Sequence, residues 1–124
     1  MLPRMSLRCL IVDDNRHFGE EARSLLEDEG IAVVGIAASG EEAVRMVSAL
    51  APDVALVDIR LGEESGFDVA RRLVDGASAT PPAVILISTH DPREFSDRIA
   101  ASPAIGFLAK TDLSAERIRS LLSD

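Results

Sequence analysis

The chain has a single cysteine, Cys9, so it can form no internal disulfide, which suits a reducing compartment. Long apolar runs are missing too: the stretches rich in Leu, Ile and Val are short and broken by charges, and none spans a bilayer. The opening residues, MLPRMSLR, carry no apolar stretch ahead of their charges, so no secretory signal is expected and the expected location is cytoplasmic. Basic residues are in the minority, 13 against 21 acidic ones, for a net charge of −8. Phosphate backbones repel such a surface, which argues against direct nucleic-acid binding by this chain. Neither GxGxxG nor GxxxxGKS/T occurs, so dinucleotide and P-loop chemistry have no support. The two histidines, His17 and His90, stand too far apart and too poorly partnered for a zinc site.

What is present is a rhythm. The 124 residues, 47% hydrophobic, are enough for one packed core and too few for two domains. Apolar runs alternate with helical patterns five times. Strands are expected at 7–12, Ala32–Ala37, Val54–Asp58, Ala83–Ser88 and 105–109. A helix over 15–29 places Phe18, Ala22, Leu25 and Leu26 at helical spacing, with Gly30 as its stop. Ser39-Gly-Glu-Glu42 reads as a capping box for a second helix burying Ala43, Val44, Val47 and Leu50, and Pro52 breaks it. A polar loop over 59–65 leads to a third helix with Val69, Ala70, Leu73 and Val74 inward. Asp91-Pro92-Arg93-Glu94 supplies a cap, a proline at the first helical position and an acid at the third for a fourth helix with few apolar anchors, Phe95 and Ile99. Ser114 is expected to cap a fifth helix carrying Ile118, Leu121 and Leu122.

Strands that read as near-continuous Val/Ile/Leu runs are buried on both faces, which requires a parallel sheet covered by helices. Five such units predict an α/β fold, a single open doubly wound sheet rather than an eight-unit barrel. In these sheets the site lies beyond the carboxyl ends of the strands. Strand one ends in Asp13-Asp14, strand three in Asp58, strand four in Ser88-Thr89 and strand five in Lys110. Three carboxylates, a hydroxyl and an ammonium are thus expected on one edge. Carboxylates so close repel one another and call for a cation. Oxygen ligands from only part of a coordination sphere suit Mg²⁺, which keeps several waters and pairs with phosphate. A carboxylate can also be the nucleophile toward a phosphoryl group, with Lys110 and Ser88 binding the transferred oxygens.

The segments VDD at 12–14, LVDIRLGEESG at 56–66, VILIST at 84–89 and GFLAK at 106–110 resemble the receiver domains of two-component response regulators, in order and spacing, over essentially the whole chain. The resemblance implies a flavodoxin-like five-stranded receiver with strand order 2-1-3-4-5, filling 1–124 with no output domain in this chain. It implies Asp58 as phospho-acceptor, forming an aspartyl phosphate. Mg²⁺ would be held directly by Asp14, Asp58 and the backbone carbonyl of Arg60, and largely through water by Asp13. Lys110 would contact the phosphoryl group, and Ser88 would move toward it as part of the switch. Phe107 stands where the family keeps an aromatic that swings inward, and Gly66 matches the turn glycine before helix three. The implied donor is a sensor histidine kinase or phosphotransfer protein. The implied output is a changed face made by the fourth and fifth helices and the fifth strand, with a homodimer as one use of it.

The sequence also departs from the family pattern. Gly62 and Thr111 stand where many relatives have proline, Thr89 where most have alanine or glycine, and Ser102-Pro103-Ala104 replaces a small glycine-containing turn. These touch no catalytic side chain. His90, two positions past Ser88, lies near enough to the site to tune phosphate lifetime. Two other readings are weighed against the switch. One is a constitutive interaction receiver whose phosphorylation is vestigial. The other is a small Mg²⁺ phosphohydrolase of the haloacid-dehalogenase type, which would begin with Asp-x-Asp after strand one where this chain has Asp-Asp.

Overall fold

The apolar runs become β1 (Arg8–Val12), β2 (Ala32–Ala37), β3 (Val54–Asp58), β4 (Ala83–Ser88) and β5 (Gly106–Ala109) of one parallel sheet, in the order β2-β1-β3-β4-β5. Between them lie α1 (Arg16–Asp28), α2 (Gly40–Leu50), α3 (Gly66–Asp75) and α4 (Ser96–Ala101), and α5 (Ala115–Ser123) follows β5. This computed structural model describes residues 7–76 and 80–123, so residues 1–6, on which the expectation of no secretory signal rests, lie outside the described residues. The architecture is the expected doubly wound, flavodoxin-like one.

Because successive strand residues point to opposite faces, the central strands feed two cores at once. Leu10, Val12, Ala55, Val57, Val84 and Leu86 pack with Ala43 and Val47 of α2 and Val69, Ala70 and Leu73 of α3. Cys9, Ile11, Val54, Leu56, Ile85 and Ile87 pack on the other side with Ala22 and Leu26 of α1 and Ile118 of α5. β3 is buried throughout, and β1 and β4 in all but their first residue. The edge strands β2 and β5 are only partly covered, because each has one paired neighbour. Near-continuous burial therefore holds for the centre of the sheet, not for its edges.

The helix ends follow their local chemistry. Asn15 Oδ1 accepts from the Phe18 N–H at 3.1 Å, and Ser39 Oγ from the Glu42 N–H at 3.1 Å. The Glu42 carboxylate reaches the Ala38 N–H at 2.8 Å, one residue beyond the reciprocal bond of an ideal capping box. Ser114 Oγ accepts from the Arg117 N–H, as its position predicts. Gly30 ends α1 at φ +91°, a conformation glycine adopts without steric cost.

Three details correct the expectations. The loop over 59–65 closes as a short antiparallel hairpin, Arg60–Leu61 against Glu64–Ser65, around Gly62 at φ +57°. The fourth helix is split: Pro92–Phe95 forms a 3₁₀ turn capped by Asp91, and only Ser96–Ala101 is α-helical. Without buried apolar residues to hold a full helix on the sheet, this segment winds irregularly. Ile105 precedes β5 rather than opening it; its N–H reaches Val84 O at 2.8 Å while its side chain stays 44% exposed.

Candidate functional site

At the carboxyl edge of the sheet, Asp13 follows β1, Asp58 ends β3, Ser88 ends β4 and Lys110 follows β5. Parallel pairing brings these ends to one level: Val12 is level with Val57, Asp58 with Ile87, and Ser88 with Ala109. Among the described residues, carboxylate oxygens of Asp13, Asp14 and Asp58 all lie within 4.8 Å of one another. Asp13 is 1% and Asp58 8% exposed, so two of the three charges are withdrawn from bulk water, while Asp14 is exposed.

Lys110 answers the two buried ones. Its Nζ lies 2.6 Å from Asp13 Oδ2 and 3.1 Å from Asp58 Oδ2, and its side chain is 10% exposed. The Asp58 contact is a hydrogen bond, whereas the closer approach to Asp13 is an ion pair that lacks hydrogen-bond alignment. Main-chain donors hold the remaining oxygens: the Asn15 N–H reaches Asp13 Oδ1 at 2.8 Å and the Arg60 N–H reaches Asp58 Oδ1 at 3.1 Å. Burial pushes the Asp58 carboxyl above its ordinary value; the Arg60 N–H opposes that, the Asp13 charge adds to it, and Lys110 opposes it. Burial pulls the Lys110 ammonium down, but Asp13 and Asp58 outweigh it, and the net shift is upward.

The site residues expected from the sequence are not all drawn together. Asp13, Asp58 and Lys110 touch, and Asp14 stands beside them at the surface. Ser88 is buried, and its hydroxyl oxygen accepts from the His90 N–H at 2.9 Å and lies 3.4 Å from His90 Nδ1. Phe107 is half-buried, packed with Phe95 and Ile99 against the core on the α2–α3 side. Arg60 is exposed on the hairpin. Cys9 is fully buried and its thiol is pushed up to about 12, so it is an inert core residue.

Two residues at the site escape a reading of strand ends. Asn15 links the α1 cap to Asp13, and Phe18 places its ring 4.3 Å from the Lys110 ammonium. A compositional signal was also available: among 13 basic residues Lys110 is the sole lysine, at the one place where a compact point charge meets two carboxylates.

The donor set fits a hard divalent cation, since it offers oxygen alone and gathers more negative charge than Lys110 balances. Asp14, exposed at the mouth, leaves the third carboxylate open to solvent and to an incoming ion.

The sequence profile of the family described as response regulator receiver domain matches residues 9–123. The chain is 37% identical over 117 residues to the positive alginate biosynthesis regulatory protein of Pseudomonas aeruginosa, covering 93% of this chain and 46% of that protein. It is 36% identical over 116 residues to a protein-glutamate methylesterase/protein-glutamine glutaminase of Alkalilimnicola ehrlichii, covering 90% of this chain and 29% of that protein. The chain thus spans less than half the length of either curated relative. Among solved structures, the signal receiver domain of a modulated diguanylate cyclase from Desulfovibrio desulfuricans G20 superposes with a TM-score of 0.76 at 35% identity, covering 94% of this chain and 90% of that one. Among the described residues no helix is long and apolar enough to cross a membrane.

Proposed function

The chain belongs to the response regulator receiver domain family, and on that premise we propose that it is a signalling switch thrown by phosphorylation of Asp58. One observation carries the reading: the buried Asp58 carboxylate, at the end of the central strand, shares a 4.8 Å cluster with Asp13 and Asp14 and is met by the only lysine in the chain. Asp14, Asp58 and the Arg60 carbonyl would hold Mg²⁺ directly, and Asp13 largely through water. The ion would screen the carboxylates and the transferred phosphoryl oxygens.

The chain's own residues then act in turn. An Asp58 oxygen forms its bond to phosphorus as the bond from phosphorus to the donor atom breaks. The donor is a sensor histidine kinase or phosphotransfer protein. Lys110 exchanges the Asp58 carboxylate for a phosphoryl oxygen. The Ser88 hydroxyl leaves the His90 N–H and turns toward the phosphoryl group, and Phe107 rotates into the space released. The output is a changed α4–β5–α5 face, used for a partner or for a second copy of the chain. Covalent change is confined to Asp58 itself: the domain catalyses its own phosphorylation and dephosphorylation and turns over no other substrate.

Acetyl phosphate with Mg²⁺ should add one phosphoryl group to the wild type and none to Asp58→Asn, as read by intact mass. Full labelling of Asp58→Asn would sink the assignment of the acceptor. A wild type that never labels, even with a cognate kinase, would favour a constitutive interaction module instead.

A further inference from the structure

The Lys110 ammonium is held on three sides, and one of them is an aromatic ring. Its Nζ lies against Asp13 Oδ2 and Asp58 Oδ2, and 4.3 Å from the centroid of Phe18. Phe18 is the third residue of α1, and its N–H is the one capped by Asn15 Oδ1. Asn15 in turn donates its own N–H to Asp13 Oδ1. The contacts close on themselves: Asp13 to Asn15, Asn15 to Phe18, Phe18 to Lys110, and Lys110 back to Asp13. The cap of α1 therefore sets both the carboxylate and the ring between which the ammonium rests.

The chemistry of that third side differs from the other two. Phosphorylation replaces the Asp58 carboxylate that Lys110 meets, and a cation held near Asp13 would compete with the ammonium for that second carboxylate. The face of Phe18 attracts an ammonium through its quadrupole and keeps that attraction unchanged when the carboxylates are engaged elsewhere. The attraction is strongest for a desolvated cation, and the Lys110 side chain is 10% exposed. Without it, the ammonium at the end of the lysine's flexible four-carbon stem loses the contact that stays the same while its carboxylate partners change.

We propose that Phe18 is a positioning residue for phosphoryl transfer, holding the Lys110 ammonium where the phosphoryl oxygens arrive. The proposal rests on the reading of Asp58 as acceptor. Phe18 also packs against the core beneath α1, so a loss of packing has to be separated from a loss of the ring face. Space for that separation exists: Phe18 lines an open groove of about 410 Å³ with His17, Glu21, Leu25, Thr89 and Thr111, into which a larger ring can extend.

The experiment compares wild type with Phe18→Leu, which keeps apolar bulk without a π face, and Phe18→Trp, which keeps the face. Lys110 is the only lysine, so its ε-methylene signals in protein labelled with ¹³C-lysine need no assignment. In the unphosphorylated protein those signals should show a ring-current shift in wild type and Phe18→Trp that is lost in Phe18→Leu. The rate of labelling by acetyl phosphate with Mg²⁺ should fall roughly two- to thirtyfold in Phe18→Leu and recover in Phe18→Trp. Equal rates in wild type and Phe18→Leu, equal slowing in both variants, or no ring-current shift in wild type each overturn the proposal. A wild type that takes up no phosphoryl group defeats the acceptor reading together with this one. A wild type that labels normally beside an equally fast Phe18→Leu defeats this one alone.

Discussion

A Cβ built on Gly66 would lie 2.0 Å from the backbone oxygen of Asp58. The first residue of α3 is pressed against the acceptor's own peptide, and its N–H is bonded to Ile59 O at 2.6 Å. Helix three is thus mounted directly on the strand end that carries Asp58. The obstacle to any side chain here is backbone, which cannot swing aside as a side chain would. Gly66→Ala should therefore destabilise the fold by about 3 kcal/mol, the upper end of typical overpacking costs, and slow labelling of Asp58. Urea denaturation and intact mass check the two halves. An alanine variant of unchanged stability would show that this contact is relaxed in solution.

Asp58 should weigh against folding when no metal is present. Burial raises its carboxyl above the ordinary value of 3.8, against the pull of the Arg60 N–H and Lys110. A folded state that binds a proton more tightly than the unfolded chain has that contribution in full below 3.8, and loses it as pH rises through the raised value. At neutral pH in chelator, Asp58→Asn should melt above wild type, and the gap should close as the pH falls below 3.8. Thermal melts across that range decide it. A variant that melts well below wild type at neutral pH would make Asp58 a structural residue.

Mg²⁺ should raise the melting temperature of the wild type through preferential binding to the folded state, by an amount equivalent to roughly 2.7 kcal/mol at a hundred times the dissociation constant. Asp14 is exposed and takes no part in the Lys110 contacts, so Asp14→Ala should melt near or slightly above wild type in chelator. The same variant should lose most of the Mg²⁺-dependent increment. Calorimetry with and without the ion reads both. An undiminished increment in Asp14→Ala would remove Asp14 from the ligand set.

Arg98 should hold α4 in place. None of the helix's residues is buried, and Arg98 lays its guanidinium 4.4 Å from the centroid of Phe67 and 3.5 Å from Ser65 Oγ. Phe67 in turn meets Phe95, which meets His90 beside Ser88. Arg98→Ala should cost the contact about 0.5–1 kcal/mol and speed hydrogen exchange over 96–101 while leaving Asp58 labelling intact. Exchange unchanged in that segment would show that α4 is held by other means.

Beryllofluoride, as a phosphoryl mimic, should change exchange protection in β5 and α4 as well as around Asp58, and promote self-association or docking that weakens with salt, because the exposed charges there are of mixed sign. Protection changes confined to the loops around Asp58 would contradict an output through this face.

The strands and the edge carrying the chemistry were legible from the sequence alone, because they depend on local pattern, whereas the order of the strands followed only from the family resemblance. VALVD and AVILIS, short and rich in Val, Ile and Leu, read as strands buried on both faces, and a parallel sheet of such strands puts Asp13, Asp58, Ser88 and Lys110 at one edge whatever the details. Ser39, Asp91 and Ser114 could likewise be read as caps, since a cap and its donor lie within three residues. The tertiary structure decided what depends on distance between remote parts of the chain. Lys110 lies closer to Asp13 than to Asp58, its third side rests on Phe18 at 92 positions' remove in the sequence, and Gly66 is wedged against the acceptor's peptide. The split of the fourth helix belongs here too, because whether Phe95 and Ile99 anchor a full helix depends on how much core they reach, and they reach it only in part. Periodicity reports which face of an element is apolar, whereas the angstroms between side chains on different elements are set by packing, and the site is built from those angstroms.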